Sequence, residues 1–322
     1  MLFHSSKKPV ELQIIHLNKV QKKQQKEFEQ ASDEDDKKGC LSKLLSLAKS
    51  DAKDKASEPK DSKDKTKTVY VLDFDGDIKA GAVAQLREEI SAIISAAKTG
   101  DEVVLRLESG GGQVHGYGLA AEQLGRIKDA GLALTVCVDK IAASGGYMMA
   151  CVADKVIGAS FAIVGSIGVV SQMPNFYDFL KKHDINIESF TAGEYKRTVT
   201  MFDKNDDKDR AKYQSELERI HELFKNHVAK HRLTLDIEKV ATGEFWFGQD
   251  AHALGLIDEL GTSDAYILSL LDNHDVFVIN SRTKPTLLEK LGLGEQMGAS
   301  AVSLVNQVGH GAAEFLAKLN RP

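Results

Sequence analysis

Ser144 is the residue of this 322-residue chain whose neighbours best suit a nucleophile. An apolar run that ends at Val138 precedes it, and Gly145, Gly146 and a series of helix-forming residues follow it. This order predicts a strand, a tight turn and a buried helix that begins at Ser144. Free N–H groups at a helix start favour the negative charge of an attacked carbonyl, although the same position suits a serine that only caps the helix. The two glycines, which have no Cβ, would let a substrate backbone approach closely.

A glycine-rich turn, Ser109-Gly110-Gly111-Gly112, is the second candidate for chemistry. It lies between a predicted buried strand and a predicted helix, and adjacent N–H groups held by glycines can bind an oxyanion. Its spacing is not G-x-G-x-x-G and no G-K-[ST] follows, so the turn does not favour nucleotide phosphate. From these residues alone, a turn that merely needs positive φ is the simpler explanation.

Lys196 is the candidate base, in a short predicted turn beside Tyr195 and after a predicted strand. A lysine amine can accept a proton only when it is neutral, and burial in apolar surroundings favours the neutral amine. Because the chain contains 42 lysines and arginines, an ordinary surface lysine is the alternative.

The histidines form no motif for metal or triad chemistry. Lys225 stands where the helical motif H-E-x-x-H, starting at His221, needs its second histidine. His227 and His231 are i, i+4 partners without an apparent third ligand. No acidic residue has an obvious spacing to complete a Ser-His-Asp triad, for example with His115. The sequence therefore indicates no metal site.

Strands and helices alternate with short connections in the part of the chain that would position these residues. This alternation predicts an α/β fold with largely parallel strands. The predicted strands cover residues 69–74, 102–107, 133–138, 154–158, 163–170, 186–191 and 276–279. The predicted helices cover residues 82–97, 119–127, 147–153, 175–183 and 206–231, with a cap at Gly131 after the second of them.

The composition predicts four regions along the chain. Residues 1–31 form a basic helical segment, residues 32–67 a charged flexible linker, residues 68–281 the folded body and residues 282–322 a weakly helical tail. In residues 49–67, 12 of 19 positions are charged and none is aromatic or a β-branched aliphatic. Such a segment buries too little apolar area to offset the entropy of ordering it.

Charge and hydropathy exclude several classes of function. The formal net charge of −5 indicates no nucleic-acid partner. The three cysteines, Cys40, Cys137 and Cys151, lack zinc-like spacing, and the last two lie in apolar runs as expected of buried thiols. The sequence contains no uncharged apolar run of about 18 residues, so it predicts no transmembrane helix. Its first residues lack the apolar region of a signal peptide.

Several blocks of residues resemble the signal peptide peptidase A family of serine peptidases, most closely its SohB-type inner-membrane members. The blocks are DKIAASGGY at 139–147, GSIGV at 165–169 and GEYK at 193–196, strengthened by LRLES at 105–109, VHGYG at 114–118 and MMACVADK at 148–155. The likeness extends from about Val69 to about Leu271.

The resemblance implies a Ser/Lys dyad on a ClpP/crotonase-like spiral of β-β-α units. Ser144 would be the nucleophile and Lys196 the general base, and Ser166 would hydrogen-bond the lysine amine. The oxyanion hole would be formed by N–H groups of Gly111, Gly112 and Gly145. The family's glycine turn usually carries proline where this chain has Gly110, which loosens the turn.

The resemblance also implies partners and a location. It implies no cofactor. The substrates would be peptides or proteins, and members of this length form homo-oligomers in which neighbouring subunits supply the serine and the lysine. A single chain would then hold Ser144 and Lys196 apart. Members usually have an N-terminal membrane anchor, and the opening of this chain resembles the segment after one. We therefore expect a truncated start and a bacterial inner-membrane location, with the side of the membrane left open.

The function expected from these observations is that of a serine endopeptidase acting on membrane-derived or unfolded peptides. A crotonase-type acyl-CoA enzyme is an alternative, since it would share the glycine-supported oxyanion hole. A non-catalytic membrane-associated scaffold that kept the fold is another.

Overall fold

The computed structural model describes residues 10–36 and 67–283. Its strands are β1 (Val10–His16), β2 (Thr68–Gly76), β3 (Glu102–Ser109), β4 (Ala133–Val138), β5 (Ile141–Ala143), β6 (Lys155–Gly158), β7 (Ile163–Gly165), β8 (Phe245–Phe247), β9 (Glu259–Leu260) and β10 (Asp275–Thr283). Its helices are α1 (Leu17–Asp36), α2 (Val83–Ala96), α3 (Val114–Asp129), α4 (Gly145–Ala150), α5 (Tyr177–Lys182), α6 (Asp207–His231), α7 (Ile237–Val240), α8 (Gly248–Ala253) and α9 (Ser263–Leu270). Residues Gln13–Asn280 form one compact unit, and residues 10–12 and 281–283 are the described part of a second.

The strands form one sheet in the order β1-β10-β2-β3-β4-β6-β9, and β5, β7 and β8 branch from β3. The pairs from β10 to β9 are parallel, as are β3–β5 and β5–β7, whereas β7–β8 is antiparallel. The prediction of an α/β fold with largely parallel strands is confirmed.

Both faces of the central strands are buried, which explains their nearly continuous apolar sequences. On one face, Leu72 and Leu105 pack with α2 and α3 in the larger core cluster. On the other face, Val71 and Val104 pack with Ile267 of α9 in a smaller cluster. Neighbouring strand residues point to opposite faces, so each strand contributes to both clusters.

The first described element differs from the prediction. Val10–His16 is a strand and not the start of a helix, in keeping with the alternation of Leu12 and Ile14 with polar residues. Helix α1 then continues to Asp36, which places residues 32–36 of the predicted linker in a helix. The other linker positions up to residue 66, residues 1–9 and the tail from residue 284 lie outside the described residues.

Two further predicted strands are wrong in extent or existence. Strand β7 stops at Gly165, and residues 186–191 form no strand. A strand is stable only when it pairs with another, and large apolar side chains of this segment, such as Phe190, are exposed.

The predicted cap after α3 is confirmed. Gly131 has a φ of 75°, and its N–H donates to the Lys128 carbonyl at 2.9 Å. No helix in residues 10–36 or 67–283 has the length and apolarity needed to cross a bilayer.

Candidate active site

Ser144 lies in the turn between β5 and α4, with a backbone that is unusual for serine. Its φ is 51° and its ψ is −119°, outside the well-populated regions for a residue with a Cβ. Its N–H donates to the Gly165 carbonyl at 2.8 Å, and its side chain makes no capping hydrogen bond to α4. The helix-cap explanation is therefore wrong, and the strained turn is of the kind that concentrates at functional sites.

Ser166 lies beside Ser144 because the two strands that precede them are paired. Ala143 of β5 is the register partner of Gly165 of β7, so each serine is the first residue beyond its strand. Ser166 also has a positive φ, 52°, and its N–H donates to the Glu244 carbonyl at 2.7 Å. The structure thus brings these two predicted site residues together on one edge of the small sheet.

The glycine turn after β3 packs directly against the turn that carries Ser144. Gly111 has a φ of 88°, and a Cβ there would lie 2.6 Å from the Gly145 nitrogen and 2.8 Å from Cβ of Ser144. A Cβ at Gly112 would collide with the Ile78 carbonyl. Both positions therefore need glycine, because the backbones of three segments meet there.

The three glycine N–H groups predicted to bind an oxyanion are not equivalent. The N–H of Gly111 donates to Oγ of Ser109 at 3.0 Å and is already engaged. Within residues 10–36 and 67–283, the N–H groups of Gly112 and Gly145 find no acceptor. Since Gly111 lies against Gly145, these two free donors belong to one small region beside Ser144.

Gly145 and Gly146 also have a packing role that the sequence did not indicate. Both are buried in the chain. A Cβ on Gly145 would enter the ring of Tyr117, and a Cβ on Gly146 would lie 2.5 Å from the Ser109 carbonyl oxygen. They allow α4 to pack closely against β3 and α3.

Lys196 is exposed and lies in a turn. Its backbone N–H donates to the Gly193 carbonyl at 3.1 Å. In the described part of the chain, no hydrogen bond links Lys196 to Ser144 or Ser166. Two lysines of α6 hold the turn: Lys208 pairs with Glu194 at 2.9 Å, and Nζ of Lys212 lies 5.0 Å from the centroid of the Tyr195 ring. The hydrogen bond from Lys208 lowers the pKa of Glu194.

Two family descriptions and several known proteins match the sequence of this chain. The family descriptions "Peptidase family S49 N-terminal" and "Peptidase family S49" match residues 2–124 and 126–276. The protein named "Probable protease SohB" of Haemophilus influenzae is 54% identical over 244 residues, 76% of this chain and 69% of that protein. The chain belongs to peptidase family S49. It is therefore a peptidase, and so a hydrolase.

Two other relatives of this S49 peptidase have similar names. "Probable protease SohB" of Buchnera aphidicola subsp. Acyrthosiphon pisum is 52% identical over 71% of this chain and 68% of that protein. "Protease 4" of Haemophilus influenzae is 31% identical over 50% of this chain and 26% of that protein.

Sequence reasoning about this S49 peptidase missed two residues that contact the candidate site, Ser109 and Tyr117. The sequence indicates Ser109 only as the start of the glycine turn and the end of the LRLES block, and Tyr117 only as part of the VHGYG block. Tyr117 is fully buried and its hydroxyl lies 2.6 Å from Oγ of Ser109. The available clue was an aromatic residue with a polar tip just before the helix predicted at residues 119–127, which in the structure begins earlier, at Val114.

Two histidines of helix α6 contact backbone carbonyl groups near the candidate site. Nε2 of His221 lies 3.2 Å from the Ile167 carbonyl oxygen, next to Ser166, and Nε2 of His227 lies 2.9 Å from the Met148 carbonyl oxygen in α4. The described residues contain no group of three His, Cys, Asp or Glu side chains that could hold a metal ion.

Proposed function

We propose that this S49 peptidase is a serine endopeptidase that uses Ser144 as its nucleophile and Lys196 as its general base. The observation that carries the proposal is the backbone of Ser144, at φ 51° and ψ −119°, next to the unengaged N–H groups of Gly112 and Gly145. A serine held in a strained turn beside two free amide donors suits attack on a carbonyl.

The proposed reaction follows from these positions. Oγ of Ser144 attacks the carbonyl carbon of the scissile peptide bond while neutral Nζ of Lys196 takes the hydroxyl proton. The N–H groups of Gly112 and Gly145 donate to the oxyanion of the tetrahedral intermediate. The C–N bond then breaks and Lys196 returns the proton to the leaving amine. Water, activated in the same way, hydrolyses the acyl-enzyme, and Ser166 hydrogen-bonds the lysine amine throughout.

A neighbouring copy of the chain supplies the lysine in this proposal. An exposed lysine is charged, and burial against another subunit would favour the neutral amine that the reaction needs. Support comes from the apolar side chains exposed on the segment that carries Lys196, among them Val170, Phe179, Phe190 and Tyr195. Large apolar side chains exposed along one segment are typical of surfaces that bind another protein.

The substrate class, location and detailed fold are proposals that rest on the family resemblance. We propose that the α/β body is a ClpP/crotonase-like spiral, and that the enzyme works at the bacterial inner membrane. Its substrates in this proposal are membrane-derived or unfolded peptides, whose extended backbone can present a carbonyl to a serine and two glycine amides.

The direct test replaces each member of the dyad. Ser144→Ala and Lys196→Ala should each lower kcat/KM for a fluorogenic peptide by about 10³-fold or more, because each removes an essential group. The matched controls are the exposed residues Ser160 and Lys204, whose alanine variants should retain full activity. A fluorophosphonate should label wild-type protein at Ser144. Full activity in either dyad variant, or an unlabelled Ser144 in an active enzyme, would contradict the mechanism.

Subunit mixing tests the shared dyad. Ser144→Ala and Lys196→Ala chains, each inactive alone, are co-refolded in equal amounts. In a ring whose sites take serine and lysine from different subunits, about one quarter of the sites receive both residues, so activity returns to about that fraction of wild type. A mixture as inactive as its components would show that both residues act within one chain.

A further inference from the structure

A buried chain of hydroxyl groups lies directly behind the glycine turn. Oγ of Ser109 accepts the N–H of Gly111 at 3.0 Å and lies 2.6 Å from the hydroxyl oxygen of Tyr117. The hydroxyl of Tyr117 donates to the Asp77 carbonyl at 2.7 Å. Ser109 is 2% exposed and Tyr117 is 0% exposed, so water does not compete for these hydrogen bonds.

The number of hydroxyl protons determines which group donates in each of these hydrogen bonds. The Tyr117 hydroxyl donates to the Asp77 carbonyl at 2.7 Å, so Ser109 is the donor in the 2.6 Å contact between the two hydroxyls. The Gly76 carbonyl, 3.3 Å from Oγ of Ser109, is the longer and weaker alternative for the same proton. In either case the Ser109 oxygen accepts the N–H of Gly111. Burial raises the pKa of Tyr117, which keeps its proton in place. The chain thus runs from Gly111 through Ser109 and Tyr117 to the turn that follows β2.

Tyr117 also contacts the other half of the candidate oxyanion hole. The ring occupies the space where a Cβ of Gly145 would lie, so it is packed beneath the N–H donor next to Ser144. A Cβ at Gly76, the last residue of β2, would lie 2.6 Å from both hydroxyl oxygens. One side chain therefore links both donor segments and the end of β2.

We propose that Tyr117 and Ser109 are positioning residues that hold the N–H groups of Gly112 and Gly145 at the spacing an oxyanion needs. The proposal rests on the proposed function of Ser144. By engaging Gly111, Ser109 also decides which turn amide is left for substrate: Gly112 donates and Gly111 does not. Oxyanion donors must be held within about 0.5 Å of their productive positions, a tolerance that a glycine turn does not meet without support.

The test is steady-state kinetics of the 322-residue chain. Tyr117→Phe keeps the ring beneath Gly145 and removes the hydroxyl. Misplaced donors act in the transition state, so kcat should fall about 10- to 100-fold while KM stays within about 2-fold. The control is Tyr147→Phe. Tyr147 is equally buried and also donates to one backbone carbonyl, that of Leu256 at 2.9 Å, but that bond leads away from the glycine turn. Its kcat should stay near wild type.

Ser109→Ala and the double variant provide a second measurement in case one protein folds poorly. Ser109→Ala should lower kcat as Tyr117→Phe does, and the double variant should lose little more than either single variant, because one chain of hydrogen bonds is broken in each case. Amide hydrogen exchange should accelerate at Gly111 in all three proteins by more than it does at amides of the distant strands, which report any general loss of stability.

The outcomes separate the two hypotheses. Equal losses of kcat in Tyr117→Phe and Tyr147→Phe, or faster exchange at Gly111 with kcat unchanged, would overturn the positioning role and leave the peptidase mechanism standing. Wild-type protein that neither cleaves peptides nor reacts with fluorophosphonate at Ser144 would overturn the proposed function, and this inference with it.

Discussion

Gly145 connects the reactive turn to the rest of the protein at the scale of a single residue. Its N–H is a candidate oxyanion donor, while the face that would carry a Cβ is closed by the ring of Tyr117. The Tyr117 hydroxyl is hydrogen-bonded to Ser109 and Asp77, and these bonds restrain the position of the ring. Any side chain at position 145 must displace a constrained aromatic residue.

Gly145→Ala should therefore destabilise the protein by about 1–3 kcal/mol, the usual cost of overpacking. The control is Gly118→Ala in α3, where a Cβ would meet nothing within 4 Å. That variant should stabilise the helix by about 0.5–1 kcal/mol. Chemical denaturation of both variants measures the difference, and a Gly145→Ala protein as stable as wild type would show that the site relaxes freely.

At the scale of elements, Asn18 fastens the start of α1 to the body. Its side-chain amide donates to the carbonyls of Leu271 and His274 at 2.8 and 2.9 Å, and its side-chain oxygen accepts the N–H of Val276 at 2.9 Å. Asn18 is 6% exposed. One amide thus satisfies three backbone groups where α9 ends and β10 begins.

Asn18→Ala should lower the free energy of unfolding by about 2–4 kcal/mol, because buried backbone groups lose their partners at about 1–3 kcal/mol each. Lys19→Ala, an exposed neighbour in the same helix, should change it by less than about 0.5 kcal/mol. Urea titrations of both variants provide the comparison. Similar small effects from both would mean that water replaces the amide at this junction.

Elements were predictable where local pattern and tertiary packing agree. The apolar runs of β2, β3 and β4 and the long periodicity of α6 carry enough local information, and these elements match the prediction. Residues 186–191 resemble a strand locally, but no strand lies beside them in the described part of the chain. Residues 10–16 became a strand because a neighbour in the sheet was available, which local sequence does not reveal.

Some residues of the candidate site were also predictable from the sequence, and others were not. Ser144 and the glycine turn were recognisable because short-range order of residues defines a turn. The chain from Gly111 through Ser109 and Tyr117 to Asp77 was not, since it joins three separate segments of the sequence. The position of Lys196 on an exposed turn also depends on packing between elements, and no spacing in the sequence expresses it.

At the scale of the whole molecule, the long helix α6 connects the exposed segment to the buried core. Its carboxyl-terminal half packs through Phe224 and Val228, and His227 lies 2.9 Å from the Met148 carbonyl of α4, the helix that follows Ser144. The ring of His231 lies 4.9 Å from that of His227. Burial first, and then the positive charges of His227, Lys128 and Lys230, lower the pKa of His231 from 6.5 to about 4.

This depressed pKa makes folding stability depend on pH in one direction. Below pH 6.5 an unfolded chain protonates this histidine, whereas the folded protein resists protonation until about pH 4. The stabilisation is therefore complete above pH 6.5, falls as the pH drops towards 4, and is fully lost below that value. His231→Gln removes the titrating ring, so its melting temperature should fall less than that of wild type between pH 7 and pH 4.5. Lys230→Gln, which keeps the ring and removes a neighbouring charge, should retain most of the wild-type slope. If the His231→Gln protein lost stability with acid as steeply as wild type, other groups would govern the acid sensitivity of the core beneath Ser144.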